Sequence, residues 1–107
     1  MQTYHYILAS SQFLLEEEPL AEQIKERKRY FREKSKDIDF WLVEQPAFIE
    51  TRAFAEIKSQ CPQPCTAVIS TNAQYIQWLK LRHEYVYVGQ FEAPTDDITD
   101  PIASVSS

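Results

Sequence analysis

The residues with the best claim to chemistry are Cys61 and Cys65, in Cys-Pro-Gln-Pro-Cys, and the two histidines, His5 and His83. A structural zinc site needs about four soft ligands, and the two histidines lie one near each end of the chain. Only an unusual fold could gather such a set, so no metal is expected. Redox dithiols usually separate their cysteines by two residues on a strand-to-helix turn. Here three residues intervene, and two of them are stiffening prolines. The expectation is two reduced thiols in a cytosol-like compartment.

Acid and nucleophile chemistry fares no better. Glu16, Glu17 and Glu18 are consecutive, and three adjacent carboxylates cannot all face one pocket with separated acidities. Beside Pro19 they suit the amino end of a helix, where negative charge is worth a few tenths to about 1 kcal/mol. Ser10 and Ser11 lack the context of an activated nucleophile. Gly89 is the one glycine, which rules out loops that need several glycines to bring backbone amides to a phosphate. The chain is therefore expected not to be an enzyme and to carry no cofactor.

Size and charge narrow the rest. A chain of 107 residues with 44% apolar and 25% charged side chains is one domain. No apolar run approaches the roughly 20 residues that cross a bilayer, and Met1 to Ser11 does not read as a secretory leader, so a soluble protein is expected. Residues 25–36 hold seven basic side chains against two acidic ones, a local balance of +5 that leaves −10 on the rest of a chain whose total is −5. That separation can orient the domain toward an acidic protein or an anionic membrane. Nucleic acid is not expected, because the net charge opposes phosphate binding and the aromatics are spaced as core.

The elements that must carry these residues follow from periodicity. Thr3 to Ser10 alternates as a strand. After a connecting Phe-Leu-Leu-Glu-Glu-Glu, Pro19 opens a helix with Leu20, Ile24, Arg27 and Phe31 on one stripe. Ile38 to Val43 is a largely buried strand, residues 52–60 a short helix, and Thr66 to Ser70 a third strand. Thr71 and Gln74 form a capping box for a helix whose stripe is Tyr75, Ile76, Leu79 and His83, while Trp78, Leu81 and Arg82 turned elsewhere suggest a second covered side. Val86 to Phe91 is the fourth strand. The expected fold is α/β (α+β): one layered domain over residues 1–93, with about four strands in a mixed or mostly antiparallel sheet packed with three helices. Residues 94–107 read as an irregular, acidic, Ser-ending tail with a mobile end.

Three residues resist a core explanation. Alternation sends Asp39 and Trp41 to one face of their strand and Phe40 and Leu42 to the other. Two large aromatics then point in opposite directions, and in so small a domain one is expected to stay partly exposed as a protein-contact anchor beside an acid. Arg82 offers a two-pronged donor to a carboxylate, supplied either by a partner or by Asp39 or Glu84 within the chain.

Phe-Leu-Leu-Glu-Glu-Glu-Pro (13–19), Asp-Phe-Trp-Leu-Val (39–43), Gln-Pro-Ala-Phe (45–48), Cys-Pro-Gln-Pro (61–64), Trp-Leu-Lys-Leu-Arg (78–82) and Phe-Glu-Ala-Pro (91–94) occur in this order. Together they resemble the hypothetical chloroplast reading frame fifty-four family over residues 3–103. The resemblance implies an accessory protein of the aerobic magnesium-protoporphyrin IX monomethyl ester cyclase of chlorophyll biosynthesis, a separate di-iron enzyme that it would bind and stabilise. It places such a protein in a cyanobacterial cytoplasm or a plastid stroma, at the thylakoid membrane through its partner. By motif, Asp39, Phe40 and Arg82 match family positions linked to the partner-binding surface. On this reading Phe40 is replaceable without loss of the fold, and Trp41 serves as the core-facing control. The alternative is a carrier of a tetrapyrrole intermediate, suggested by His5, His83 and the many aromatic residues.

Overall fold

The computed structural model of the chain describes residues 1–17, 20–83 and 85–105. Pro19, expected to open the first helix, lies outside them, as do Glu18, Glu84 and the Ser106 and Ser107 end of the tail, expected to be mobile. Strand β1 (Gln2–Ser10) leads through a π-helical turn (Phe13–Glu17) to helix α1 (Leu20–Glu33) and strand β2 (Phe40–Glu44). Two 3-10 turns (Ala47–Glu50 and Arg52–Phe54) and helix α2 (Ala55–Gln60) precede strand β3 (Cys65–Ser70), helix α3 (Ala73–Arg82) and strand β4 (Tyr87–Ala93). The segment read as a plain connector after β1 is thus partly helical, anchored by the buried Leu14.

The four strands form one sheet in the order β2-β3-β1-β4. All three pairings are antiparallel, so the alternatives left open by the sequence resolve to an antiparallel α+β domain. Tyr6 and Leu8 point to one face of β1 while Ile7 and Ala9 point to the other, as a period of two requires. The second face is covered by α1 and α3, which bury Leu20, Ile24 and Phe31, and Tyr75, Ile76 and Leu79. Across the sheet, Tyr6, Leu8, Ala67, Ile69 and Phe91 pack against Phe48, Ile49 and Phe54 of the short turns.

Local signals explain the helix ends. At the end of α1 the amide of Lys36 donates to the carbonyl of Phe31 and that of Ser35 to Arg32, with Ser35 in the left-handed region at φ 55. This is the double bond pattern that closes a helix carboxyl end. The cap of α3 sits one residue later than the capping box implied. Asn72 Oδ1 accepts from the amides of Gln74 and Tyr75, while the Thr71 amide donates to the carbonyl of Asp39 and so is not left for the Gln74 side chain of a capping box. Trp78 and Leu81 are exposed, so α3 is covered on one side only.

Residues 94–105 are irregular but docked. Ile98 is buried in the core on the Tyr6 face with Phe48, Phe54 and Phe91, and Pro46 and Ser104 form an isolated bridge. Val105 donates to the carbonyl of Gln45 and Ala47 to that of Ala103.

Candidate functional site

The stripe that packs α1 on the sheet includes one charged residue, Arg27, where an apolar side chain would be ordinary. Its stem and guanidinium are half-buried against three rings, with the guanidinium carbon 3.8 Å from the ring centre of Tyr75, 4.9 Å from Phe31 and 5.0 Å from Phe40. Tyr75 in turn stacks on Trp78, with centroids 6.2 Å apart and planes 19° from parallel. Beyond Trp78 lies Arg82, one turn along α3, its guanidinium 4.5 Å from the indole. The result is a ladder across the α1/α3 seam: guanidinium, phenol, indole, guanidinium. Such stacks are attractive because the negative ring faces meet the cations, each contact being worth about 0.5–1 kcal/mol where exposed.

Gln23, Glu26, Arg27, Tyr75, Trp78 and Arg82 line a groove of about 400 Å³ at this seam. Trp78 is 47% exposed, so its indole is offered to the surface. Among the described residues neither Arg27 nor Arg82 has a carboxylate within ion-pair distance; the pairs present are Arg29 with Glu33 and Lys58 with Glu50. The expected intramolecular pairing of Arg82 with Asp39 is therefore not made, and Glu84 lies outside the described residues.

Asp39 and Phe40 reach this seam from β2, but not as the sequence reading placed them. Phe40 is fully buried, edge-on to Phe31 at 5.1 Å and to Tyr75 at 5.7 Å, and so forms the floor under the groove. Trp41, cast as the buried control, is the half-exposed aromatic of the pair, tilted against Tyr4 on the opposite face. The expectation that Phe40 can be truncated with the fold intact is corrected accordingly. The Phe40 side of the sheet is roofed by two long helices, whereas short turns roof the Trp41 side. Asp39 is half-buried and held by its backbone, its carbonyl accepting from the Ser70 hydroxyl at 2.7 Å and the Thr71 amide at 3.1 Å. Its carboxylate is close enough to act on Tyr75: burial raises the phenol's pKa, Arg27 lowers it, and Asp39 raises it further.

Of the three residues named from sequence, Arg82 lines the groove, Phe40 lies buried beneath Arg27 and Tyr75, and Asp39 sits half-buried behind them, near enough to Tyr75 to act on its phenol. Arg27 and Trp78 belong to the same seam, and the sequence reading placed them on their helices without a partner-binding role. The signal was the arginine on an apolar stripe, since a charge at such a position needs a partner and here finds rings.

The other candidates separate from this seam. Cys61 and Cys65 are buried and unbridged. Their side chains hydrogen-bond to each other; that bond and burial push the Cys61 thiol up, while for Cys65 the bond outweighs burial and brings the thiol down. Cys61 also borders a cleft of about 570 Å³ that is lined by Phe13, Tyr85 and Tyr87 with Glu17. His5 is half-buried on β1 between Ser70 and Gln90, and His83 is buried at the end of α3. Among the described residues no three His, Cys, Asp or Glu side chains gather as a metal would require.

A model of the Ycf54 protein family matches residues 2–93. The chain belongs to the Ycf54 family. This is the family whose ordered motifs the sequence resembles. A Ycf54-like protein of Synechocystis sp. is 55% identical over 105 residues, covering 98% of this chain and 79% of that protein. The chloroplastic Ycf54 protein of Arabidopsis thaliana is 41% identical over 95 residues, 88% of this chain and 44% of the plant protein. Among solved structures, the All0216 protein of Nostoc sp. PCC 7120 superposes with a TM-score of 0.95 at 59% identity, covering 98% of this chain and 97% of that one. Ycf54 of Synechocystis sp. PCC6803 superposes at 0.93 with 54% identity over 99% of both chains. Ycf54 relatives are thus cyanobacterial and plastid proteins, and among the described residues of this member no helix is long and apolar enough to cross a membrane.

Proposed function

We propose that this Ycf54-family chain is a non-catalytic accessory protein that binds and stabilises the aerobic magnesium-protoporphyrin IX monomethyl ester cyclase, a di-iron enzyme of chlorophyll biosynthesis. It acts in a cyanobacterial cytoplasm or plastid stroma and meets the thylakoid through that partner. The observation that carries the reading is the pairing of exposed Trp78 with Arg82, beside the half-buried Asp39 and above the buried Phe40. An exposed tryptophan flanked by an arginine is the side-chain chemistry that dominates protein contacts, and a guanidinium held flat on a ring can take a carboxylate in a fixed orientation.

The test is co-purification of the cyclase from a chlorophyll-making cell. Arg82→Ala should reduce capture at least about tenfold, the cost of losing a charge-assisted hydrogen bond, with the melting temperature little changed. Undiminished capture by a folded Arg82→Ala protein defeats the assignment.

A further inference from the structure

We infer that the α1/α3 groove is a two-armed clamp for an acidic segment of a partner polypeptide, with Arg27 and Arg82 each taking a carboxylate while an apolar side chain lies between them on Tyr75 and Trp78. The inference rests on the protein-contact reading and names the chemistry of the occupant.

Two guanidiniums stand at the ends of one stacked aromatic pair, and neither has a carboxylate within ion-pair distance among the described residues. Glu26 lines the same groove but lies too far from both to pair. Arg27 is held unusually well for a cation, with its Nε buried without a hydrogen-bond partner and its plane confined by Phe31, Phe40 and Tyr75. A fork fixed in this way loses little freedom when a planar acceptor arrives. Trp78, 47% exposed between the two guanidiniums, supplies the apolar surface of the groove. An amphipathic acidic helix satisfies the two cations and the ring between them at once. A flat anionic bilayer could not enter a groove bounded by side chains.

The experiment uses Trp41→Phe protein, which leaves Trp78 as the only indole, titrated with a synthetic helical peptide carrying two glutamates that flank a leucine, and with its glutamine twin. The glutamate peptide should shift Trp78 emission saturably, and the glutamine twin at least about tenfold more weakly. Arg27→Gln should weaken the glutamate peptide by a similar factor, and Arg27→Lys should not restore it, because a point charge lacks the planar fork. Should Arg27→Gln melt early, Gln23→Glu adds a repelling carboxylate on the exposed rim without touching the packing, and should weaken the peptide as well. Equal responses to the two peptides up to about 1 mM overturn the clamp, as does a stronger Trp78 shift with phosphatidylglycerol vesicles than with the glutamate peptide. Cyclase capture keeps the two readings apart. Unchanged protein that fails to capture the cyclase defeats the accessory role and leaves the peptide result to decide the clamp, whereas cyclase captured equally by unchanged, Arg27→Gln and Gln23→Glu proteins defeats the clamp as the seat of that enzyme.

Discussion

Tyr6 lies across Gly89 so closely that a Cβ on the glycine would sit 2.6 Å from the phenol oxygen and 2.9 Å from the carbon that bears it. The two residues are direct cross-strand partners on β1 and β4. Glycine ordinarily weakens a strand, and it is retained where another group must approach the backbone. Tyr6 cannot swing aside, being 2% exposed and packed against Phe48, Phe54 and Phe91. Gly89→Ala should therefore destabilise the domain by about 1–3 kcal/mol, the range for overpacked sites. Urea unfolding measures it, and a gain in stability would show that the ring relocates freely.

Burial also governs how the phenols titrate. The pKa of Tyr6 is raised from 10.0 by burial alone, and that of Tyr75 by burial with the Asp39 carboxylate, against an opposing Arg27. For a raised group the stabilising contribution is complete below the unfolded value and disappears as pH climbs through the folded one. The contribution of these two phenols should accordingly be level up to about pH 10 and fall above it. Phenolate absorbance should show a late-titrating fraction that Tyr6→Phe and Tyr75→Phe each diminish, and a single early phase would contradict this.

The end of α1 stores a simpler cost. Ser35 occupies the left-handed region at φ 55, where a side chain crowds its own backbone and glycine does not. Its amide and that of Lys36 close the helix, so the backbone is committed to this shape. Ser35→Gly should raise stability by about 1 kcal/mol, read as a higher thermal midpoint. An unchanged or lower midpoint would mean that unfolded-chain entropy outweighs the strain.

These cases mark how far the sequence could be read. The alternation in β1 and the stripe Tyr75, Ile76, Leu79, His83 depend only on neighbours in the chain, and both appear where periodicity places them. The same alternation correctly sends Phe40 and Trp41 to opposite faces, yet the depth of each face depends on which distant elements roof it. That is why the buried and half-exposed members exchange roles. The capping box at Thr71 is not made: its amide is claimed by Asp39, 32 residues back, a bond no local pattern reports, and the cap falls to Asn72. Ile98 enters the core as an isolated apolar residue in a polar run. The one glycine served to exclude phosphate loops, and its tie to Tyr6 needed the strand register.

The contact surface gives the sharpest separation of fold from function. Phe40 is fully buried between α1, α3 and the sheet, so Phe40→Ala should cost about 3–5 kcal/mol. Trp41→Ala, at a half-exposed site, should cost roughly 2 kcal/mol. Arg82→Ala removes one exposed stacking contact and should cost no more than about 1 kcal/mol. Asp39→Asn keeps the carbonyl that holds Ser70 and Thr71 and alters only the charge beside Tyr75. Loss of cyclase capture by Phe40→Ala alone would be ambiguous, since a damaged floor collapses the groove above it. Phe40→Leu retains most of the volume, and volume-conserving exchanges cost under about 1.5 kcal/mol. If Phe40 acts by supporting Tyr75 and Arg27, capture across Phe40→Leu and Phe40→Ala should fall in step with thermal stability. For Arg82→Ala it should fall while stability holds, whereas Asp39→Asn, which removes a negative charge beside the groove, should leave both undiminished. Capture that drops for Phe40→Leu at undiminished stability would mean that the ring itself reaches the partner, and would require the groove to open on binding.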